Sequence, residues 1–366
     1  MRWNWQQPDW PNFSYDASRL RSREDEFLKG AGVLVGAMTH LDADDRQNLS
    51  IELMTQEAVN SSAIEGEILD HASVQSSVAK HLGVNADHRR ANAAEAGAAE
   101  LMANLFRSYR EPLSDKMLFH WHTLLMNGRR DLVDIGRYRT HADPMQIVSG
   151  ALHAPKVHFE APPSQAVPRE MQGFIAWFNI SDPNGHSPTS ALARSGIAHL
   201  WFESIHPFED GNGRLGRAIA EKALAQGLDA PAITALAEMI QRHRKDYYAQ
   251  LQRASLSNRI DEWLDWFFDI ALAAQQRTLE RVHFLITKAK LLDRLRGRIN
   301  ARQEQTLLRM FAEGPDGFKG GLSAANYRTL TGAATATATR DLAELVLLGA
   351  LRKDGELKHT RYYLCA

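Results

Sequence analysis

Apolar side chains return every three or four residues along most of this chain, the period of a helix with one buried face. Ile51, Met54, Thr55 and Ala58 keep that spacing through residues 50–59. Ala191, Leu192, Ile197, Leu200, Trp201 and Ile205 keep it through residues 191–205, and Leu215, Ala218, Ile219, Ala223 and Leu224 continue it after Arg214. Helical periodicity runs to about residue 130, resumes from Met171 and passes through Trp263, Trp266, Phe267 and Ile270. Residues 271–300, with Leu272, Leu279, Val282, Leu285, Ile286, Leu291, Leu292 and Leu295 on one face, predict a long connecting helix.

The period breaks twice. Between Arg137 and Pro163 the chain is punctuated by Pro144, Gly150, Pro155 and Pro162, and the runs Met145-Gln146-Ile147-Val148 and Lys156-Val157-His158-Phe159 predict a β-hairpin. Near the C-terminus, helices are expected over residues 303–311, 323–330 and 337–348, followed by a hairpin of 351–357 and 361–364 around Asp354-Gly355. Three helices and a hairpin describe a winged helix-turn-helix. The expected fold class is mainly α.

Composition narrows the function only a little. With 366 residues, 44% of them hydrophobic, the chain can bury cores for two or three domains. A net charge of -1 excludes a global field for nucleic acid or acidic lipid. The one cysteine, Cys365, excludes an intrachain disulfide and suits a reducing compartment. With no apolar signal core at its start and no apolar run of membrane-spanning length, the chain is expected to be cytoplasmic. Trp3, Trp5, Trp10 and Phe13 make the N-terminal stretch too aromatic for a free tail, so it is expected to tuck against the body.

The chemistry concentrates in His206-Pro207-Phe208-Glu209-Asp210-Gly211-Asn212-Gly213-Arg214-Leu215-Gly216-Arg217. Gly211 and Gly213 allow main-chain N–H groups to turn inward as an anion nest, and the helix after them offers its N-terminus to phosphate. Arg214 and Arg217 lie three apart on one face, both able to fork onto phosphate oxygens. Gly211, Gly213 and Gly216 also satisfy a dinucleotide fingerprint, but that motif needs a preceding strand and residues 191–205 read as helix. No Gly-Lys-Ser/Thr follows, so a P-loop fails too. A plain glycine turn between helices is the remaining reading, and the convergence of His, Asp, Asn and two Arg argues against it. His120-Trp121-His122 looks like a metal pair, yet residues two apart on a helix diverge, so packing is expected there and for His199.

The run matches the HxFx(D/E)GNGRxxR signature at every defined position, and by it the chain resembles the Fic family, whose members transfer AMP from ATP to protein hydroxyls. The resemblance implies a Fic helical core with a β-hairpin flap, in addition to the C-terminal winged helix-turn-helix. It implies that His206 is the general base and Asp210 the Mg²⁺ ligand at the α- and β-phosphates. It places Asn212 with the Gly211 and Gly213 amides in the phosphate cradle, with Arg214 on the leaving pyrophosphate, and assigns Gly216 and Arg217 to the nucleotide site; Phe208 anchors the loop. Tyr247-Tyr248 with Leu251 resembles the family's YYxxL stretch, which puts Tyr248 at the adenine. Some members carry Asn where this chain has Ser255, which leaves base selectivity open. The expected flap at residues 145–159 would hold a target by strand addition.

Upstream, Ser61-Ser62-Ala63-Ile64-Glu65-Gly66 matches the family's (S/T)xxxE(G/N) inhibitory motif. Ser61 and Glu65 lie four apart on one face near a helix end, where Gly66 suits the cap. By resemblance Glu65 pairs with Arg217 and holds ATP in a non-productive pose. The expected layout is an N-terminal helical region over 1–110, a Fic core over 111–275, a connecting helix over 276–300 and a winged-helix domain over 301–366. That last segment holds nine Lys/Arg and seven Asp/Glu, weak for gripping DNA, and its Thr-Ala-Thr-Arg340-Asp341-Leu342 run resembles a recognition helix. The expected function is an adenylyltransferase that uses ATP and Mg²⁺ on Tyr, Ser or Thr of target proteins and of itself, as a possible homodimer. The alternatives are a DNA-binding regulator with a Fic nucleotide sensor, another cosubstrate, or removal of AMP.

Overall fold

The computed structural model describes residues 2–84, 89–149, 156–231, 234–314, 317–318 and 320–365. The chain opens with α1 (Ala17–Met38), α2 (Ala43–Ile64), α3 (His71–His81), α4 (Ala93–Ser108) and α5 (Asp115–Leu125). Polar caps set several of these starts. Asp70 accepts from Ser73 N ahead of α3, Asn92 and Glu95 form a reciprocal capping box at α4, and Ser114 accepts from Met117 N at α5. Gly66, at φ 87°, turns the chain out of α2 in a conformation that suits glycine.

The non-helical stretch forms the expected hairpin, β1 (Gln146–Ser149) antiparallel to β2 (Lys156–Glu160). Its turn, with Gly150 and Pro155, lies outside the described residues. Register shifts between Ile147 and Val148, so that His158 is the extra residue of a bulge. Ile147, Val148 and Val157 remain exposed on this ribbon.

Next come α6 (Val167–Ile180), α7 (Ala191–Ile205), α8 (Asn212–Gly227), α9 (Leu236–Arg242) and α10 (Arg244–Ala254), then α11 (Asp261–Leu295). Every residue of α7 is buried, so it is the central helix of its unit, and α8 packs along it. Burial on all sides forces its polar residues to find partners inside. Arg194 bonds to Phe178 O at 2.7 Å and stacks on the Phe178 ring, while Ser195 Oγ donates to Ala220 O. The expected connecting helix is a correction in extent: it starts at Asp261, because Trp263, Trp266 and Phe267 share its period and no breaker separates them from Leu272.

The N-terminal aromatics do tuck inward. Trp3 packs edge-on against Phe159, Trp10 and Phe13 against Trp201, and Trp5 Nε1 donates to Glu160 O at 2.7 Å. The hairpin is thus tied at its base by the first residues of the chain.

Two compact units divide the molecule, one of residues 1–33 and 47–276, the other of 34–46 and 277–366. The second contains α12 (Ala301–Phe311), α13 (Ala324–Thr331), α14 (Thr335–Leu347) and the antiparallel pair β3 (Leu351–Asp354) and β4 (Arg361–Leu364). Leu295, Leu307, Tyr327, Leu342 and Leu345 are fully buried in its core. Asp341, within the run that resembles a recognition helix, is buried: it accepts from Tyr327 Oη at 2.8 Å and Arg302 Nε at 3.0 Å. Its position four residues before Leu345 places it on the inward stripe. Among the described residues, no helix is long and apolar enough to cross a membrane.

Candidate active site

The loop between α7 and α8 is held from several sides. His206 ends α7 in the left-handed region, φ 49° and ψ 60°, and its N–H donates to Phe202 O at 2.9 Å. Phe208 is fully buried, stacked on His122 with centroids 4.2 Å apart. Asn212 clasps the loop: its Oδ1 accepts from Phe208 N and its Nδ2 donates to Phe208 O, both at 2.9 Å. The carboxamide is therefore engaged, and of Asn212 only the main-chain N–H is left for the expected phosphate cradle. Gly211 caps α8 at φ 82°, and a Cβ there would lie 2.8 Å from Met126 Cε.

Two residues that sequence reasoning did not assign to the site fix this loop. Arg139, buried in the stretch before β1, donates to His206 O at 2.8 Å, Pro162 O at 2.6 Å and Ser164 Oγ at 2.9 Å. His122 accepts from Gly136 N at Nδ1, so Nε2 carries the hydrogen and donates to Asp210 O at 3.2 Å. Burial holds this imidazole down to about 4, and it stays neutral. The expectation of packing for His122 captured its stacking and missed its hydrogen bonds.

A cavity of about 770 Å³ opens above the loop. His206, Asp210, Gly211, Asn212 and Gly213 line its floor, Ile147 and Val148 of the hairpin line one side, and Tyr248 and Ser255 of the α10 region line another. Burial, followed by the Arg139 guanidinium, lowers His206 to about 4, which leaves a neutral imidazole at neutral pH. The Asp210 carboxylate is half-exposed; burial raises it, but hydrogen bonds from Arg129 and Gly211 hold it below its ordinary value. Its Oδ2 meets Arg129 at 2.6 Å.

Both signature arginines are met by carboxylates from the end of α2. Arg217 is buried and bonds to Glu65 Oε1 at 2.8 Å, Ser61 Oγ at 2.9 Å and Ser61 O at 2.8 Å. Arg214 meets Glu67 at 2.6 Å. Burial alone would raise the Glu65 carboxyl, but Arg217 outweighs it and keeps the group ionised. Tyr248 Oη donates to Ile64 O at 3.1 Å, beside Gly66. Gly213 makes room for Glu65, since a Cβ there would fall 2.1 Å from Glu65 Oε1.

Gly216 is a correction. It lies inside α8 and faces α7, where a Cβ would stand 2.7 Å from Glu203 Oε1 and 3.1 Å from His199 Nδ1, so it serves helix packing away from the cavity floor. Behind it sits a polar cluster that the sequence reading did not assemble. His199 Nε2 meets Tyr247 Oη at 2.9 Å, and Glu203 Oε2 lies 3.6 Å from His206 Nδ1. Burial, then Glu65, pushes the Glu203 carboxyl up to about 8, against the opposing pull of Arg217. With His206 near 4, the two face each other as neutral groups near pH 7, so this contact is no ion pair. The signal was present, since residues 199, 203 and 206 recur at helical spacing.

A left-handed helix end carrying an imidazole, a glycine-capped helix after it and a hairpin lining the cavity make up this site. Residues 112–224 match the Fic/DOC family, and residues 3–84 match a domain of unknown function, DUF4172. A probable protein adenylyltransferase of Aquifex aeolicus is 30% identical over 96 residues, 26% of this chain and 26% of that protein. Protein adenylyltransferase fic-1 of Caenorhabditis elegans is 24% identical over 172 residues, 47% of this chain and 30% of that protein. These matches therefore span less than a third of either relative. Among solved structures, a Fic family protein from Desulfovibrio desulfuricans covers 93% of this chain and 95% of its own, with TM-score 0.52 and 21% identity. A Fic domain containing signaling protein from Bacteroides thetaiotaomicron covers 73% and 98%, with TM-score 0.53 and 15% identity. The fold is shared with these structures, and the matches support a Fic family protein.

Proposed function

We propose that the chain is a protein adenylyltransferase that transfers AMP from ATP to a Tyr, Ser or Thr hydroxyl, and that it restrains itself through Glu65. The observation that carries this reading is the neutral, buried His206 opening on the same cavity as the N-terminus of α8. In the reaction His206 takes the proton of the attacking hydroxyl. That oxygen bonds to the α-phosphorus, the bond from phosphorus to the bridging oxygen breaks, and pyrophosphate leaves with the electron pair. Positioning and charge neutralisation dominate such a transfer. The main-chain N–H groups of Asn212 and Gly213 receive phosphate oxygens at the helix start, while that of Gly211 is held by Asp210 Oδ1.

Asp210, a half-exposed carboxylate on the cavity floor beside the α8 N-terminus, fits Mg²⁺, which is commonly held by one or two carboxylates together with substrate phosphates. Asp210 would hold the ion, which neutralises phosphate charge when bound. Arg129 must then release Asp210.

Self-restraint is supported by the two carboxylate–arginine pairs. A charge-assisted hydrogen bond contributes about 1.5–3 kcal/mol, so Glu65 on Arg217 can lower the productive population by roughly one to two orders of magnitude. Ile147 and Val148 of the exposed hairpin would present target backbone by strand addition. The second unit is proposed as a winged helix whose α14, with Thr335, Thr339 and Arg340 exposed, meets DNA or a protein partner.

Intact-mass measurement after incubation with ATP and Mg²⁺ tests the reading. Glu65→Gly should gain AMP adducts that the wild type gains weakly, and Glu65→Gly with His206→Ala should gain none. Adducts that persist without His206 would overturn the assignment of the base.

A further inference from the structure

The proposed transfer leaves Glu203 without a task, although this carboxyl lies directly behind the base. It sits one turn before His206 on α7 and lines the cavity. Its Oε2 is 3.6 Å from His206 Nδ1, while its Oε1 is buried with no hydrogen-bond partner. A carboxyl left half-satisfied in the interior lowers stability, and an unsatisfied buried group of this kind commonly marks a working site. The glycine at position 216 keeps the space open, because any larger residue would press on Oε1.

We infer that Glu203 is the positioning residue of the base: its carboxylate selects the His206 tautomer with hydrogen on Nδ1 and leaves Nε2 open to the acceptor's proton. This inference rests on the reading of His206 as the base. As a carboxylate, Glu203 accepts from Nδ1–H and steadies the imidazolium formed when Nε2 takes the hydroxyl proton. As a neutral acid it can instead offer its own hydrogen to Nδ1, which favours the tautomer whose Nε2 is already occupied. The Glu203 main-chain oxygen, 3.4 Å from Nδ1, supports the productive tautomer in either state. The 3.6 Å separation is one that tightens when the imidazole becomes charged, as contacts in an unliganded site commonly do.

The surrounding groups agree on the direction of titration. Glu65 from the end of α2 opposes ionisation of Glu203, and Arg217 from α8 favours it. His199 of α7 and Tyr247 of α10 remain uncharged near neutral pH, and the Arg139 cation faces His206. Turnover should therefore rise with pH as Glu203 loses its proton, with a midpoint below about 8 once Glu65 is removed.

The test compares Glu65→Gly with the same protein carrying Glu203→Gln or Glu203→Asp. It follows kcat and KM for α-labelled ATP from about pH 6 to about pH 9, with ¹⁵N NMR of the His206 imidazole. Glu203→Gln should lower kcat by about 10- to 100-fold with KM for ATP unchanged, and should abolish the rising limb. Glu203→Asp should restore part of both, and the NMR should show hydrogen moving towards Nε2 in the Gln protein. A Gln protein whose kcat and pH profile overlay the parent, or whose KM alone changes, overturns the inference. If Glu65→Gly itself takes up no label, the function reading fails instead, and an unchanged His206 tautomer in Glu203→Gln then decides against the inference separately.

Discussion

Asn212 illustrates how much of the site depends on single side chains. Its amide makes both hydrogen bonds that hold Phe208, one from and one to the main chain. Asn212→Ala should leave two buried main-chain groups unpaired and cost about 2–4 kcal/mol, read as a lowered denaturation midpoint together with lost activity. Asn212→Asp should retain the bond from Phe208 N and fall between. Glu203 makes the opposite case, a residue whose presence lowers stability. Its folded pKa, about 8, lies above an ordinary carboxyl. The folded state therefore holds the proton longer than the unfolded chain, and stability falls as pH rises from about 4.3 towards that value. Glu203→Gln should match the wild type near pH 4 and be more stable at pH 8 by a margin on the order of a few kcal/mol, at about 1.4 kcal/mol per pH unit. A stability difference independent of pH would contradict the buried-acid assignment.

At the scale of elements, the end of α2 acts on both arginines of α8. The family motif draws attention to Glu65 and Gly66, while Glu67 lies one residue beyond it and holds Arg214 at 2.6 Å. Glu67 is more exposed than Glu65, so its pair with Arg214 contributes less. Glu67→Ala alone should raise adenylylation only about two- to threefold, and combined with Glu65→Gly should add a similar factor. A combined protein less active than Glu65→Gly would show instead that Glu67 orients Arg214 for catalysis. The helices themselves were legible from apolar period and caps, and the hairpin from Gly and Pro punctuation. What period could not supply was contact between distant segments: Arg139 reaching the His206 carbonyl, and Asp341 turned inward to Tyr327. Gly216 was misassigned because its motif position was visible and its neighbour across α7 was not.

In the first unit α7 and α8 form the buried axis, the hairpin, the chain after α2 and α10 meet at one cavity, and the N-terminal aromatics pack behind the hairpin and α7. That convergence was not readable from local sequence, because Trp3 and Phe159, or Ser61 and Arg217, meet across more than a hundred residues. The candidate residues were legible because their chemistry is compressed into twelve consecutive positions, 206–217. The central claim, transfer of the α-phosphoryl group with its nucleoside by a base that Glu65 restrains, is tested most directly by incubating Glu65→Gly with ATP labelled at the α- or the γ-phosphate. Protein-bound label from the α-position alone, above the wild-type level and lost on adding His206→Ala, is the predicted result. Label from the γ-position, or α-label unaffected by either substitution, would contradict it.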